Sequence, residues 1–437
     1  MGRIRGETGY LHMSFFEKRD VFRPESGEAP FNAHEIFFSH MDDRGVILSG
    51  NYLFQDISHY TWDELIGAPH KIIRHEDMPK GVFHLLWQTI QAGKPMGAYV
   101  KNRTKDDLYY WVFAVVLPYS DGYLSVRIKP STEFLGTVEA VYEKALAKEQ
   151  EGESSPEESA DFIISEIQKL GFLDYSAFSS QVLAQELESR DGLLNRHPNA
   201  SKTRFQSMLN FASDLQKETA GLSLAFEAIG TIPTNLRVIA TRLEAAGGAI
   251  SVLSQNYWAM SQEISAWFNN FVADPRSDFA RIRDTIDECW MLNCTAKVLQ
   301  EAADEFEKER RRLGTRDVFK EKKSLYQLSV EQTREANSGM RKIAEEAERI
   351  AAAITVMRRY ISGLSMTRVM CKIESARLPS GGESLSDIIE QLGAFQSTIN
   401  SKLSGIENLS RSIQSLAQTL INERDGRQAK TWSAMHV

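Results

Sequence analysis

Hydrophobic and polar positions change rhythm once along this chain. Between residues 30 and 130 the apolar residues fall in short runs rich in aromatic and β-branched side chains. The clearest are "RGVILSGN" (44–51), "YYWVFAVVLPY" (109–119) and "GYLSVRIKP" (122–130). Runs of this kind, bounded by Gly, Pro and Asp, predict strands. The "SDG" between the last two predicts a hairpin turn in which the glycine supplies φ > 0. In "MPKGVFHLLWQTIQAGKP" (78–95) the spacing changes to that of a helix. Val82, Leu85, Leu86 and Ile90 share a face, Pro79 suits a first turn and Gly93 a stop. Strands interrupted by short helices predict an α+β domain of about 100 residues.

From residue 161 onward the period is 3.5–3.6. Leu392, Phe395, Ile399, Ile406, Leu409, Ile413, Leu416 and Leu420 follow a 3-4 alternation with Lys402 as its break; Met208, Phe211, Leu215, Leu222, Ala225 and Ile229 do the same with Glu218 as theirs. Such stripes are buried against partner helices, so helical hairpins or a coiled-coil bundle are expected, and a homodimer with them. Between the two rhythms, "KEQEGESSPEES" (148–159) is acidic and serine-rich and reads as a linker or a loosely ordered helix end. The expected organisation is an N-terminal extension (1–29), an α+β domain (30–130), a connecting helix and acidic linker (131–160) and an all-α region (161–437). "RLEAA" (242–246) and "KIESA" (372–376) echo one another before Gly-containing interruptions. Two related helical units, about 161–275 and 276–425, are one reading of that echo, and chance likeness is the other.

Composition narrows the function classes. With 437 residues and a net charge of -8 the chain lacks the basic patch that nucleic acid requires. No apolar run approaches 18 residues, so no membrane span is expected. The first twenty residues lack the apolar core of a signal peptide. Cys289, Cys294 and Cys371 make no disulfide framework, and Cys289 and Cys294 suit buried positions on a helix. Together these features point to the cytoplasm.

The chemistry-bearing residues cluster in the α+β region, in "IIRHEDMP" (72–79) and "YVKNR" (99–103). With "GVILSGNYLFQDISHYTWDELIGAPHK" (45–71) before them and "TKDDLYYWVFAVVLPY" (104–119) after, they form one long ordered match. Residues 31–130 resemble a PAS domain of the branch found in bacterial aerotaxis receptors. The resemblance implies a five-stranded antiparallel sheet cupping a small-molecule pocket under short helices. In that branch the ligand is FAD, held non-covalently, and the family's flavin-linked positions fall here on Asn51, Arg74, His75, Asp77 and Asn102, with Trp87 at an aromatic position. Arginine suits a pyrophosphate through paired charge-assisted hydrogen bonds, and an Asn amide matches donors and acceptors on a flavin edge. This sequence departs from the family pattern at Glu76, commonly Pro, at Met96, often Trp, and at "KDD" (105–107), which lacks the usual glycine. Two alternatives stand beside FAD. One is haem, with His34, His40, His59, His70 and His84 as axial candidates. The other is a cofactor-free dimerisation platform.

In the helical region, "IPTNLRVIATRLEAA" (232–246) is similar to the hairpin-tip signature of methyl-accepting chemotaxis proteins, with Pro233, Arg237, Thr241, Arg242 and Gly247 as departures. The resemblance implies that Thr234, Asn235, Leu236 and Glu244 contact a chemotaxis histidine kinase and its coupling protein. No phosphate loop, phospho-accepting histidine box or paired acid/base cleft is visible, so an enzyme is not expected. The function expected is that of a sensor of redox, oxygen or energy state whose signal passes from a pocket to long helices. The alternative is a scaffold that binds a signalling partner.

Overall fold

In this computed structural model the described residues run from 22 to 435, except 153, 198–199, 230–233, 236, 239–246, 269–271, 273–276, 309–317 and 378–381. The chain divides into two compact units. One comprises Met1–Gly171, Gln185–Arg196 and Thr295–Ser329; the other comprises Phe172–Ala184, His197–Cys294 and Val330–Val437. These cuts fall elsewhere than the sequence-based division.

The first unit contains one five-stranded antiparallel sheet in the order β2-β1-β5-β4-β3. Its strands are β1 (Phe37–Asp42), β2 (Ile47–Gly50), β3 (Met96–Arg103), β4 (Tyr109–Tyr119) and β5 (Gly122–Ile128). Between β2 and β3 lie α1 (Tyr52–Ser58), α2 (Trp62–Leu65), a 3-10 turn over His70–Ile73 and α3 (Lys80–Gln91). This is a PAS fold followed by long helices. The turn at 120–122 differs from expectation. Ser120, not Gly122, takes the left-handed conformation, with φ 51. Gly122 is required for another reason: a Cβ there would stand 2.1 Å from the Met41 carbonyl oxygen of the paired strand. The "KDD" turn does need a left-handed residue, and Asp107 supplies it at φ 62. Asp tolerates that region better than most side chains.

Of the 148–160 segment, residues 148–150 and 156–160 are helix ends, the second of the two readings. Helix α4 (Phe134–Gln150) is followed after a short turn by α5 (Pro156–Lys169). Ser155 and Glu158 close a reciprocal capping box at the start of α5. Ser155 and Glu158, two of the residues that gave the segment its polar look, are cap residues. Gly81 of α3 lets α5 approach so closely that a Cβ would lie 2.6 Å from the backbone of Ser159 and Ala160. Glu149, at the end of α4, accepts from the backbone N–H groups of Lys80 and Gly81 (2.7 and 3.2 Å) and so caps α3. Helix α6 (Tyr175–Leu193) follows.

The second unit is dominated by long helices: α7 (Ala200–Ile229), α8 (Gly247–Phe268), most of α9 (Asp278–Lys308), most of α10 (Val318–Arg377) and α11 (Gly382–Met435). Helices α7 and α11 run antiparallel, joined by Arg204–Glu423, Glu218–Lys402 and the ring contact Phe226–Phe395. Their seam is not quite the stripe expected. On α11 it follows Leu392, Phe395 with Gln396, Ile399, Leu403, Ile406, Ser410, Ile413, Ala417 and Leu420; on α7 it follows Phe205, Met208, Ala212, Leu215, Thr219 and Leu222. Phe395 lies where the sequence reading put it, and the later alternate positions of α11 and those of α7 fall one residue later, usually on the smaller side chain, which allows closer helix approach. The two breaks then find each other. Glu218 and Lys402 flank the seam as an ion pair of 3.1 Å. Each leans over a glycine of the other helix, Lys402 over Gly221 and Glu218 over Gly405. All three cysteines are buried, and Cys289 packs directly on Gly339.

Two stability tests follow from the second unit. Glu218→Lys and Lys402→Glu should each lower the melting temperature, and the double exchange should restore it. The coupling should be about 1 kcal/mol or less for so exposed a pair, read from a double-mutant cycle. The second concerns Asp287, which accepts from Ser180 and Gln181 at 3.1 Å each. Burial pushes its carboxyl up to about 6 from 3.8. A carboxyl raised in the folded state costs stability as pH climbs through that interval and costs nothing below it. Asp287→Asn should therefore raise the unfolding free energy at pH 7.5, by roughly 3 kcal/mol at most, with a higher melting temperature, and flatten the stability profile between pH 4 and 7. Thermal melts across that range decide it.

Candidate ligand cavity

Side chains alternate across a strand, so each strand of the sheet presents one row inward and one outward. Inward from β3, β4 and β5 point Val100 and Asn102, Ala114 and Val116, and Ser125 and Arg127. Ala114 pairs with Arg127, and Arg127 with Phe37. Alanine at that place leaves room above the sheet. Helix α3 covers the space with Phe83, Leu86, Trp87 and Ile90, and the β1–β2 turn and the 3-10 turn close the sides. Gly45 (φ +78) lies under the Trp87 ring, where a Cβ would approach to 3.1 Å. The result is a cavity of about 300 Å³ with mostly apolar walls, at the lower end of the size range of small-molecule sites.

Its polar groups are nearly all donors. Arg44, Lys71, Arg74 and Arg127 line it together with Asn102, Ser125 and His70, and among the described residues no carboxylate does. The cations grade from rim to floor. The Arg44 side chain is 78% exposed, whereas Arg127 is 1% exposed. Arg127 donates to Ser39 Oγ (3.0 Å) and to His70 Nε2. A guanidinium can only donate, so Nε2 is an acceptor and the His70 proton sits on Nδ1. Burial, and then the adjacent Arg127 charge, hold the His70 imidazole well below its usual pKa, so it is neutral. Asn102 is 2% exposed, and its Nδ2 has no hydrogen-bond partner among the described residues. A buried donor without a partner is costly unless something fills that place.

The six site residues expected from the sequence divide evenly. Arg74, Trp87 and Asn102 line the cavity. The Arg74 guanidinium lies 3.8 Å over the Phe83 ring and donates to the Met78 carbonyl (2.9 Å). Asn51, His75 and Asp77 are not among the lining residues. Asn51 is buried and holds the start of β1, accepting from Phe38 N (3.0 Å) and donating to Ile36 O (3.1 Å). Asp77 pairs with Lys101 (2.5 Å), and its backbone N–H donates to Nδ1 of His75, whose imidazole is held below its usual pKa by burial. This bracket pins the 74–79 segment to β3, where His75 N also donates to Lys101 O. Of the five histidines weighed as haem ligands only His70 lines the cavity, and its Nε2 is engaged by Arg127. Arg127 itself escaped the sequence reading. The signal was present in "YLSVRIKP", where alternation puts Ser125 and Arg127 on one face and Leu124, Val126 and Ile128 on the other.

The outward row meets helices. Tyr142 of α4 donates to the Tyr99 carbonyl (3.2 Å) and lies near Trp111. The Tyr99 hydroxyl donates to Glu186 of α6 (2.5 Å), a fully buried carboxylate. Glu186 also accepts from the backbone and hydroxyl groups of Ser131 and Thr132, where the chain leaves β5 for α4. Residues 185–196 belong to the same unit as the sheet.

A sheet of this order, cupped over a cavity by short helices, defines a PAS module, and the PAS fold family profile matches residues 47–125. The chain is also similar to the aerotaxis receptor of Escherichia coli (strain K12), 38% identical over 122 residues. That stretch is 27% of this chain and 24% of the receptor, so the likeness spans about a quarter of the relative's length. No helix among the described residues is long and apolar enough to cross a membrane. No cluster of three or more potential metal ligands occurs among them.

The two asparagines should behave oppositely. Asn51→Ala strands two buried backbone groups and should cost about 1–3 kcal/mol in a denaturant titration. Asn102→Ala gives up no bond through Nδ2 and should cost the ligand-free chain less than Asn51→Ala does. Equal losses would contradict these assignments.

Proposed function

We propose that the N-terminal domain binds FAD and that the chain is a non-enzymatic redox or energy sensor that signals through its helices. The carrying observation is the cavity lining, which among the described residues has four cations, an unpartnered Asn102 Nδ2 and no carboxylate. Such a wall suits a flat ligand rich in acceptors and carrying negative charge. The similarity to an aerotaxis receptor over this region supports the flavin reading. When bound, FAD supplies a ring system whose charge and hydrogen bonding change with its redox state. Arg74, with Lys71 and Arg44 at the rim, would hold the phosphates. Asn102 would meet the ring edge, and Trp87, Leu86 and Phe83 would exclude water. His75, Asp77 and Asn51 would act at one remove, by fixing the 74–79 segment and the start of β1. Haem is less well supported, because the His70 lone pair already accepts from Arg127.

The relay runs through strand β3 in this reading. Val100 and Asn102 face the ligand, while Tyr99 between them and the outer helices holds Glu186. A ligand-dependent shift of β3 would change the Tyr99–Glu186 bond and bias helix packing. A preference of a few kcal/mol is enough to move a two-state element almost completely. Homodimerisation, and contact with a chemotaxis histidine kinase and its coupling protein, belong to the same proposal. Thr234 and Asn235 are exposed and helical, available for such contact, whereas Leu236 and Glu244 lie outside the described residues.

The test is direct. The full chain, incubated with FAD and gel-filtered, should retain a flavin spectrum that denaturation releases. Asn102→Ala and Arg74→Ala should each weaken retention about tenfold or more, the loss expected for charged or buried hydrogen bonds. A chain that emerges colourless, or alanine variants that bind as well as the parent, would falsify the flavin assignment.

A further inference from the structure

Two arginines in the first unit are buried to 1% exposure, Arg127 and Arg190. Arg190 has an acidic partner, with Nε 3.2 Å from Glu301. Arg127 has none. Its neighbours are Ser39 Oγ, His70 Nε2, the Ser125 carbonyl at 3.4 Å and the faces of Phe54 and Phe37 at 5.2 and 5.7 Å, all neutral. Burial lowers its pKa to about 10, and the only group acting in the other direction is the Tyr110 phenol. A buried cation without a counter-ion costs more than an apolar residue of the same volume would. On its own face of the sheet its paired neighbours are Phe37 and Ala114, neither of which carries charge. Where this unit buries an arginine for architecture, as at Arg190, it also buries the acid.

We propose that Arg127 is an anion-recognising residue of the cavity floor, held toward the cavity by Ser39 and neutral His70, whose counter-charge is carried by the bound ligand. The side chain weakens the ligand-free fold and is compensated only on binding. Stability and binding are thereby set against one another at one residue, a trade-off typical of functional positions. A neutral His70 is part of the arrangement, because a protonated imidazole would add a second uncompensated cation beside the first. The identity of the probe rests on the flavin reading, whereas the need for negative charge rests on Arg127.

The experiment compares wild type, Arg127→Met and Arg127→Lys in the full chain, stripped of ligand and then titrated with FAD. Without FAD, Arg127→Met should melt several degrees higher than wild type. It should bind FAD at least tenfold more weakly and lose most of the FAD-induced rise in melting temperature. Arg127→Lys keeps the charge and should bind more tightly than Arg127→Met. A merely structural arginine predicts the reverse, so an Arg127→Met chain that is less stable, or that fails to fold, overturns the proposal. So does one that binds FAD within twofold of wild type. If wild type takes up no FAD while Arg127→Met is still the more stable chain, the flavin assignment falls and the anionic ligand remains. If wild type binds FAD and Arg127→Met matches it, the flavin assignment remains and the role of Arg127 falls.

Discussion

The alternation of side chains along β3 is the constraint on which the N-terminal half depends. Asn102 and Val100 point into the cavity, so Tyr99 and Lys101 must point out of it. Tyr99 therefore meets Glu186, and Lys101 closes the bracket with Asp77 that fixes the segment carrying Arg74. One strand thus presents Val100 and Asn102 to the cavity on one side and Tyr99 to α6 on the other, with a single peptide unit between Tyr99 and Val100.

The helical half obeys a different rule. Its seam is built from small residues at alternate positions, Ala212 and Thr219 on α7, Ser410 and Ala417 on α11. That leaves little chemical difference between one register and the next. Glu218 and Lys402, each leaning over a glycine of the opposite helix, supply the difference. Slipping α11 by a heptad would leave both without a partner and set each against a side chain where a glycine had been.

Much of this was legible in the chain. The strands β4 and β5, helix α3 and the change of period after 161 followed from spacing alone, because alternation and heptads are local signals. What was not legible depended on partners remote in sequence. Gly122 is fixed by the approach of β1, not by its own φ. The serines and acids of 148–160 read as solvent-loving until Ser155 and Glu158 are seen to cap α5. Of the site, Arg74, Trp87 and Asn102 line the cavity. His75 and Asp77 turned outward because Lys101, two dozen residues away, gives Asp77 a nearer partner. Arg127 was passed over because a cation inside a strand signals nothing until the other residues on its face are known.

Glu149 carries one further implication. The cap on α3, the helix that roofs the cavity, comes from the far end of α4, beyond the customary limit of a PAS module. The outer face of the sheet likewise relies on Tyr142 and Glu186. The contacts that complete the domain therefore extend past residue 130, to α4, α5 and the Glu186 end of α6. A piece trimmed to the profile match at 47–125 would lose the roof's anchor and lay bare one side of the sheet together.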